Sequence, residues 1–310
     1  MRALIVSNMR PDPAHPGRGS FVRDQAAALA RIPGLEVELV EGDPGALGYL
    51  RLAARLARGR RRRYDVVHAH FGLTAYPALA ARAARRAVTL HGTDVRHPRS
   101  GRLTRAILPR YDLVAAASEA LADELSAAGV RGVRVLPCGV DLERLRPIPR
   151  PEARARLGRD PEAPFLLLPA DPARPVKRAD RARELAADAG VELVTLGHAS
   201  PAEMPLWINA AAAVLVPSDA EGFGLAAIEA LACDVPVLAT PVGIHPEALA
   251  GVEGTLCAPY DRAVWGEALA GVLADPDPRV AGRERARRWS ADAMAERVAQ
   301  SWQEIAGGAA

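Results

Sequence analysis

The stretch AVLVPSDAEGFGLAAIEALACDVPVLAT, Ala213 to Thr240, decides the fold. AVLVPS is a short run that is apolar throughout, as a strand buried on both faces requires. DAEGFG, with two glycines and two acids, reads as the loop at the carboxyl end of that strand. LAAIEALA is an alanine-rich helix, and VPVLAT is the next strand. A strand, a helix and a strand in such close succession place the two strands parallel.

The same scheme recurs along the chain. In the first half the short apolar runs are ALIVS (3–7), LEVELV (35–40), DVVHAH (65–70), AVTLH (87–91), LVAAAS (113–118) and VRVLP (133–137). The second half repeats it with FLLLPA (165–170), VELVTLG (191–197), AVLVPS (213–218), VPVLAT (235–240) and GTLCAP (254–259). Strands alternating with helices predict parallel sheets covered on both faces. Pro147 to Pro164, rich in proline and charge, reads as an interdomain linker. The last 35 or so residues carry no strand signal and are expected to be helical, with Trp289 and Trp302 as packing anchors. These readings give two similar α/β domains facing a cleft.

Composition narrows the function classes. At 310 residues each half is long enough to bury its own core. No run approaches a membrane span, and the N-terminus lacks a signal-peptide layout, so a cytoplasmic location is expected. Cys138, Cys233 and Cys257 are odd in number and widely spaced, which suits buried thiols rather than a disulfide frame or zinc site. Lys177 is the only lysine among 40 basic residues, a compositional bias without functional content. Ala57 to Asp65, ARGRRRRYD, holds five arginines. With no interleaved aromatic residues to stack on bases, this run reads as a solvated helix end rather than a nucleic-acid site.

In open parallel sheets, ligands bind beyond the carboxyl ends of the strands. After the first strand, Gly17 and Gly19 precede a helix start, where a bare backbone and free N–H groups suit an anion. The third glycine of the dinucleotide fingerprint is missing, since Val22 stands in its place, which disfavours a nicotinamide-dependent dehydrogenase. HGTDV puts His91 and Asp94 at the end of the fourth strand, His91 as a catalytic candidate alongside Lys177 and Glu221, and Asp94 with Gly17 as possible sugar or acceptor contacts. His68 and His70 share one strand face, but no third ligand is evident, so no metal is assigned.

The opening stretch is the most informative of these loops. Gly222 and Gly224 let a helix N-terminus approach a diphosphate. Glu229, placed about two turns down the helix, can accept hydrogen bonds from the vicinal hydroxyls of a ribose, and Glu221 from sugar hydroxyls. Two acids beside an anion site suit a phosphate that carries a sugar on each side, which is a nucleotide diphosphate sugar. The loop after the first strand of the second half, PADPARPVKRAD, supplies Arg174, Lys177 and Arg178 to neutralise the departing diphosphate.

Together, EGFGLAAIE, RPVKR, PCGVD, TLHGTD, HPGRGSFVRDQ and TPVGIHPEAL resemble, in order over nearly the whole chain, the GT4 family of retaining glycosyltransferases with the GT-B fold. The resemblance implies two Rossmann-like doubly wound domains. Residues 1–146 would form the acceptor-side domain, 147–164 the linker and 165–290 the nucleotide-sugar domain, with 291–310 a helix packing back towards the first. It implies Glu229 on the donor ribose, Glu221 on the sugar hydroxyls and Lys177 as phosphate clamp. Gly222, Phe223, Gly224 and Leu225 would border the diphosphate, His91 would sit by the transferred sugar and Gly19 near the phosphates.

Relatives carry an arginine five positions before the lysine, where this chain has Pro172, so Arg174 or Arg178 would take its place. Neither a cofactor nor a metal is implied. The donor would be a UDP-, GDP- or ADP-sugar, and the acceptor is unidentified. The alternatives are a 2-epimerase of the same fold and a non-catalytic sugar-nucleotide-binding partner protein. Leu47 to Asp65 is expected to form a helix whose Arg51, Arg55, Arg58 and Arg62 make one basic stripe, with Leu50, Leu52, Ala54 and Leu56 on its apolar side. That stripe offers a peripheral contact with anionic membrane at its inner face.

Overall fold

The structure is a computed structural model that describes residues 1–59, 62–197 and 199–307, so Arg60 and Arg61 of the basic run lie outside the described residues. All eleven runs read as strands are strands. They are β1 (Arg2–Ser7), β2 (Glu36–Glu41), β3 (Arg63–His70), β4 (Arg82–Leu90), β5 (Leu113–Ala116) and β6 (Arg134–Val135), then β7 (Phe165–Leu168), β8 (Glu192–Thr195), β9 (Ala213–Val216), β10 (Val237–Ala239) and β11 (Leu256–Cys257). The first helices are α1 (Ser20–Leu29), α2 (Ala46–Arg58), α3 (Ala75–Ala78), α4 (Thr93–Arg96), α5 (Pro98–Ile107) and α6 (Glu119–Ala127). Then follow α7 (Arg150–Arg156), α8 (Ala179–Ala189), α9 (Met204–Ala210), α10 (Leu225–Ala232), α11 (His245–Leu249), α12 (Arg262–Leu273), α13 (Gly282–Ala286) and α14 (Ala291–Gly307).

The chain divides into two compact units. One holds Met1–Pro13, Arg18–Gly139 and the segment starting at Ala291; the other holds Ala14–Gly17 and Val140–Ser290. The first unit has a parallel sheet in the order β2-β1-β3-β4-β5-β6. Side chains alternate across it. Leu4, Val6, Val67 and Val88 face a core closed by α2, α3, α5 and α6. Ala3, Ile5, Val66 and Ala87 face a second core closed by α1 and α14. Trp302 of α14 is fully buried there, and its indole N–H donates to Nδ1 of His68 at 3.0 Å.

The second unit's parallel sheet runs β11-β10-β9-β7-β8. With β7 in the place of β1, this is the same winding as the first five strands of the other sheet. Leu166, Leu168, Leu215 and Leu238 face α8 and α12, where Trp265 is fully buried. The other face takes α9 and α10. In each unit the chain reverses direction of winding beside its first strand, between β1 and β3 and between β7 and β9. Such switch points open a crevice at the carboxyl ends of the strands.

Three expectations about the elements need correction. The helix expected over Leu47 to Asp65 ends at Arg58 and β3 starts at Arg63, so Arg62 lies off the stripe and pairs with Glu38. Residues 147–164 are not a bare linker, because α7 belongs to the second unit and packs on α9. Arg150 is 1% exposed and donates from Nε to Ala211 O at 3.0 Å and from Nη2 to Pro278 O at 2.9 Å, while Arg154 donates from Nε to Ala210 O at 3.0 Å. The last carbonyls of a helix have no partner within it, and these guanidinium groups supply one to α9. In α2, Gly48, Leu52 and Leu56 form the buried row, but Leu50 and Ala54 are exposed. A residue two positions along a helix turns about 200° from its neighbour, so Leu50 cannot share a face with Leu52.

Candidate functional site

Lys177 and Glu221 meet at the β7/β9 switch point. The loop after β7 ends in a single helical turn, Pro175–Lys177, and the loop after β9 carries Ser218 to Gly224. Nζ of Lys177 donates to both carboxylate oxygens of Glu221, at 2.7 and 2.8 Å, and the Ser218 hydroxyl donates to Oε1 at 2.7 Å. Side-chain exposure is 16% for the lysine and 11% for the glutamate. Burial by itself would raise the Glu221 pKa, but the lysine charge and these hydrogen bonds outweigh it and hold the group below its ordinary value. Glu221 is therefore an ionised carboxylate at neutral pH.

Gly224, at φ +106°, is the residue before α10, and its left-handed backbone starts the helix abruptly. The first N–H groups of α10 then lack intrahelical acceptors and carry the positive end of the helix dipole. A Cβ on Gly224 would lie 2.5 Å from Nε2 of His245, so no other residue fits. The backbone N–H of Ile244 donates to Phe223 O at 2.8 Å and fastens the loop to the turn after β10. Glu229 is the fifth residue of α10, one turn from its start rather than two. The helix begins only after Gly224, which shortens the count.

The three basic candidates after β7 separate clearly. Arg178 is engaged, donating to Asp180 at 2.6 to 3.2 Å and to Asp219 at 3.2 and 3.5 Å. Arg174 is exposed, with no side-chain hydrogen bond or ion pair among the described residues. Of the two, Arg174 is the one whose guanidinium is unengaged among the described residues.

In the first unit, His91 follows β4 and its Nε2 lies 3.0 Å from Nδ1 of His70. The rings of His70 and His68 stack 5.0 Å apart, and Phe21 and Phe71 lie 5.0 and 4.6 Å from the His91 ring. An indole N–H only donates, so Nδ1 of His68 is the acceptor and its Nε2 carries the proton towards the Thr89 hydroxyl, 2.7 Å away. Burial lowers His68 and His91 well below the ordinary histidine value and His70 to about 3. All three are neutral imidazoles. Asp94 does not fit a sugar or acceptor contact. It is 7% exposed, and its two oxygens accept the backbone N–H groups of Gly72 at 2.9 Å and His91 at 3.0 Å. Its duty is to pin the loops after β3 and β4 together. Gly19, at φ +69°, precedes α1, and a Cβ there would meet Met9 O at 2.5 Å. Gly17 groups with the second unit.

A Glycosyltransferase Family 4 model matches residues 5–144, and a Glycosyl transferases group 1 model matches residues 176–289. A D-inositol 3-phosphate glycosyltransferase of Frankia alni is 32% identical over 297 residues, covering 74% of this chain and 72% of the relative. The chain belongs to the GT4 glycosyltransferases. A second protein of the same name, from Catenulispora acidiphila, is 33% identical and covers 81% of this chain and 77% of its own. This GT4 glycosyltransferase is also similar to solved structures. Sucrose-phosphate synthase from Thermosynechococcus elongatus covers 100% of both chains at TM-score 0.74 and 21% identity. HepE from Anabaena, in complex with UDP-glucose, covers 97% of this chain and 99% of its own at TM-score 0.71 and 18% identity. With two doubly wound parallel-sheet units, these likenesses identify the GT-B fold.

Sequence reasoning missed three residues around Glu221 in the GT4 enzyme. Ser218 holds its carboxylate, and the Thr240 hydroxyl donates to Ser218 O at 2.5 Å. Nδ1 of the fully buried His245 lies 2.9 Å from Thr240 O, and since a carbonyl only accepts, that nitrogen carries the proton. TPVGIHPEAL contains this histidine, but a histidine in a turn gives no sign of which backbone atoms it will meet.

The buried histidines make the first unit sensitive to acid. A histidine whose folded pKa lies below its unfolded value near 6.5 contributes stability that is fully present above pH 6.5 and is lost as pH falls. Between pH 7 and 5, each of His68, His70 and His91 that stays neutral should cost the folded state about 2 kcal/mol. Urea unfolding at the two pH values checks this, and an unchanged midpoint defeats it.

Proposed function

We propose that this glycosyltransferase moves a sugar from a nucleotide diphosphate sugar to an acceptor, with retention of anomeric configuration and without a metal ion. The observation that carries this reading is the Lys177–Glu221 pair at the switch point beside the N-terminus of α10. Lys177, Arg174 and the free N–H groups of α10 are the positive groups that stabilise the departing diphosphate. The diphosphate itself takes the acceptor proton on the face it leaves. Glu221 accepts from the hydroxyls of the donor sugar, sharing its lysine with a phosphate oxygen once the donor is in place. Glu229 holds the ribose. His91, a neutral imidazole held by His70, is the first unit's candidate for hydrogen bonding to substrate. The UDP-glucose bound by HepE makes a UDP-sugar the first donor to test.

Replacing Lys177 by alanine should slow transfer roughly 10²- to 10³-fold, as loss of one preorganised electrostatic donor does, with less effect on KM than on kcat. Steady-state kinetics with the responsive donor reads both. Glu229→Ala should weaken binding of the matching nucleoside diphosphate by about 1.5 to 3 kcal/mol, which calorimetry measures. Unchanged affinity in a folded variant would remove the ribose assignment. EDTA should leave turnover intact; loss of activity restored by magnesium or manganese would overturn the metal-free mechanism.

A further inference from the structure

Four of the five exposed large hydrophobic side chains among the described residues lie on three helices of the first unit: Leu47 and Leu50 on α2, Tyr76 on α3 and Leu103 on α5. These helices cover the same face of the sheet, with α3 packed against both α2 and α5. The Tyr76 hydroxyl donates to Leu103 O at 2.8 Å, which ties two of the four together. Leu47 and Leu50 are 68% and 66% exposed on a helix whose Leu52 and Leu56 already fill the core. Core packing gives them no use.

The charge around them is one-sided. Residues 44–111 contain 15 of the chain's 40 Lys and Arg but only two of its 37 Asp and Glu, Asp65 and Asp94. The chain's use of arginine in place of lysine does not account for the missing acids, since the rest of the chain is net acidic. Asp94 is buried, and Asp65 accepts the backbone N–H of Arg2. Arg51, Arg55 and Arg58 of α2 and Arg99, Arg102 and Arg105 of α5 are all exposed and carry no ion pair among the described residues. The helices α2, α3 and α5 contain no carboxylate at all.

We propose that this face docks the first unit on an anionic lipid bilayer. Arginines take lipid phosphates and carboxylates, while leucines and a tyrosine enter the headgroup boundary, the division of labour of an interfacial amphipathic surface. A nucleic acid would call for aromatic platforms between the arginines, and aliphatic leucines do not stack on bases. A second copy docking through a two-fold axis would press like-charged arginines together. The proposal is independent of the donor-site reading, since every residue in it lies in the first unit.

The test is sedimentation of the full chain with phosphatidylcholine vesicles, with or without phosphatidylglycerol, at low and moderate salt. Binding should require the anionic lipid and weaken with salt, since each arginine near the surface contributes about fivefold to partitioning. Combined Arg51→Gln, Arg55→Gln and Arg102→Gln, and separately Leu47→Ser with Leu50→Ser, should each lower partitioning about tenfold or more. Melting temperature confirms that the variants fold, and the salt dependence of the unmodified chain decides without them. Equal binding to both vesicle types, no binding, or unaltered binding by folded variants would overturn the proposal. So would a dimer that Leu47→Ser dissociates in the absence of vesicle binding. Nucleoside diphosphate affinity, measured on the same samples, fails or holds separately and judges the donor site alone.

Discussion

Parallel pairing of every strand is the constraint from which the site follows. A parallel strand cannot turn straight back into its neighbour, so each is followed by a crossover, and all carboxyl ends gather on one edge of the sheet. Both units are wound in one order, so each has a single place where consecutive crossovers part company. Lys177 and Glu221 are 44 residues apart in sequence and adjacent in space because the loops after β7 and β9 border that place. Short loops and abrupt helix starts hold them there.

Electrostatic economy governs the rest. A largely buried lysine requires a counter-charge, and Glu221, itself fixed by Ser218, supplies one. Thr240 and His245 then secure Ser218 through the backbone. In the first unit the same demand is met without charge, since burial keeps the three stacked histidines neutral and their nitrogens bond one another, Thr89 and Trp302. In α7, Arg150 and Arg154 answer helix-end carbonyls with their guanidinium groups. Among the described residues, Nε2 of His70 and Nε2 of His245 are the ring nitrogens of these arrangements left buried without a hydrogen-bond partner.

The strands were legible in the sequence because each is a short apolar run bounded by turn residues, a pattern that survives whatever the tertiary context. The Ala213 to Thr240 unit announced both its fold and its acids. Legibility failed where function depends on distant backbone atoms. Pro147 to Pro164 has the composition of a linker, and only the carbonyls at the end of α9 show why Arg150 and Arg154 are buried. Asp94 sits at a strand end as a ligand contact would, yet two backbone N–H groups claim it. Arg174 and Arg178 are equivalent on the page, and Asp180 and Asp219 tell them apart. His245 carried no signal, since its partner is a main-chain oxygen that any sequence would provide.

The position of α14 has a consequence for synthesis. The core beneath β1, β3, β4 and β5 is completed by Met294, Val298 and Trp302, which follow the whole second unit in the chain. The second unit, by contrast, is nearly one continuous run ending at Ser290. As the chain leaves the ribosome, the half made first must wait with an open apolar face while the half made later can close on its own. Removal of α14 would therefore injure the unit that begins at Met1 and spare the unit that precedes the helix in sequence.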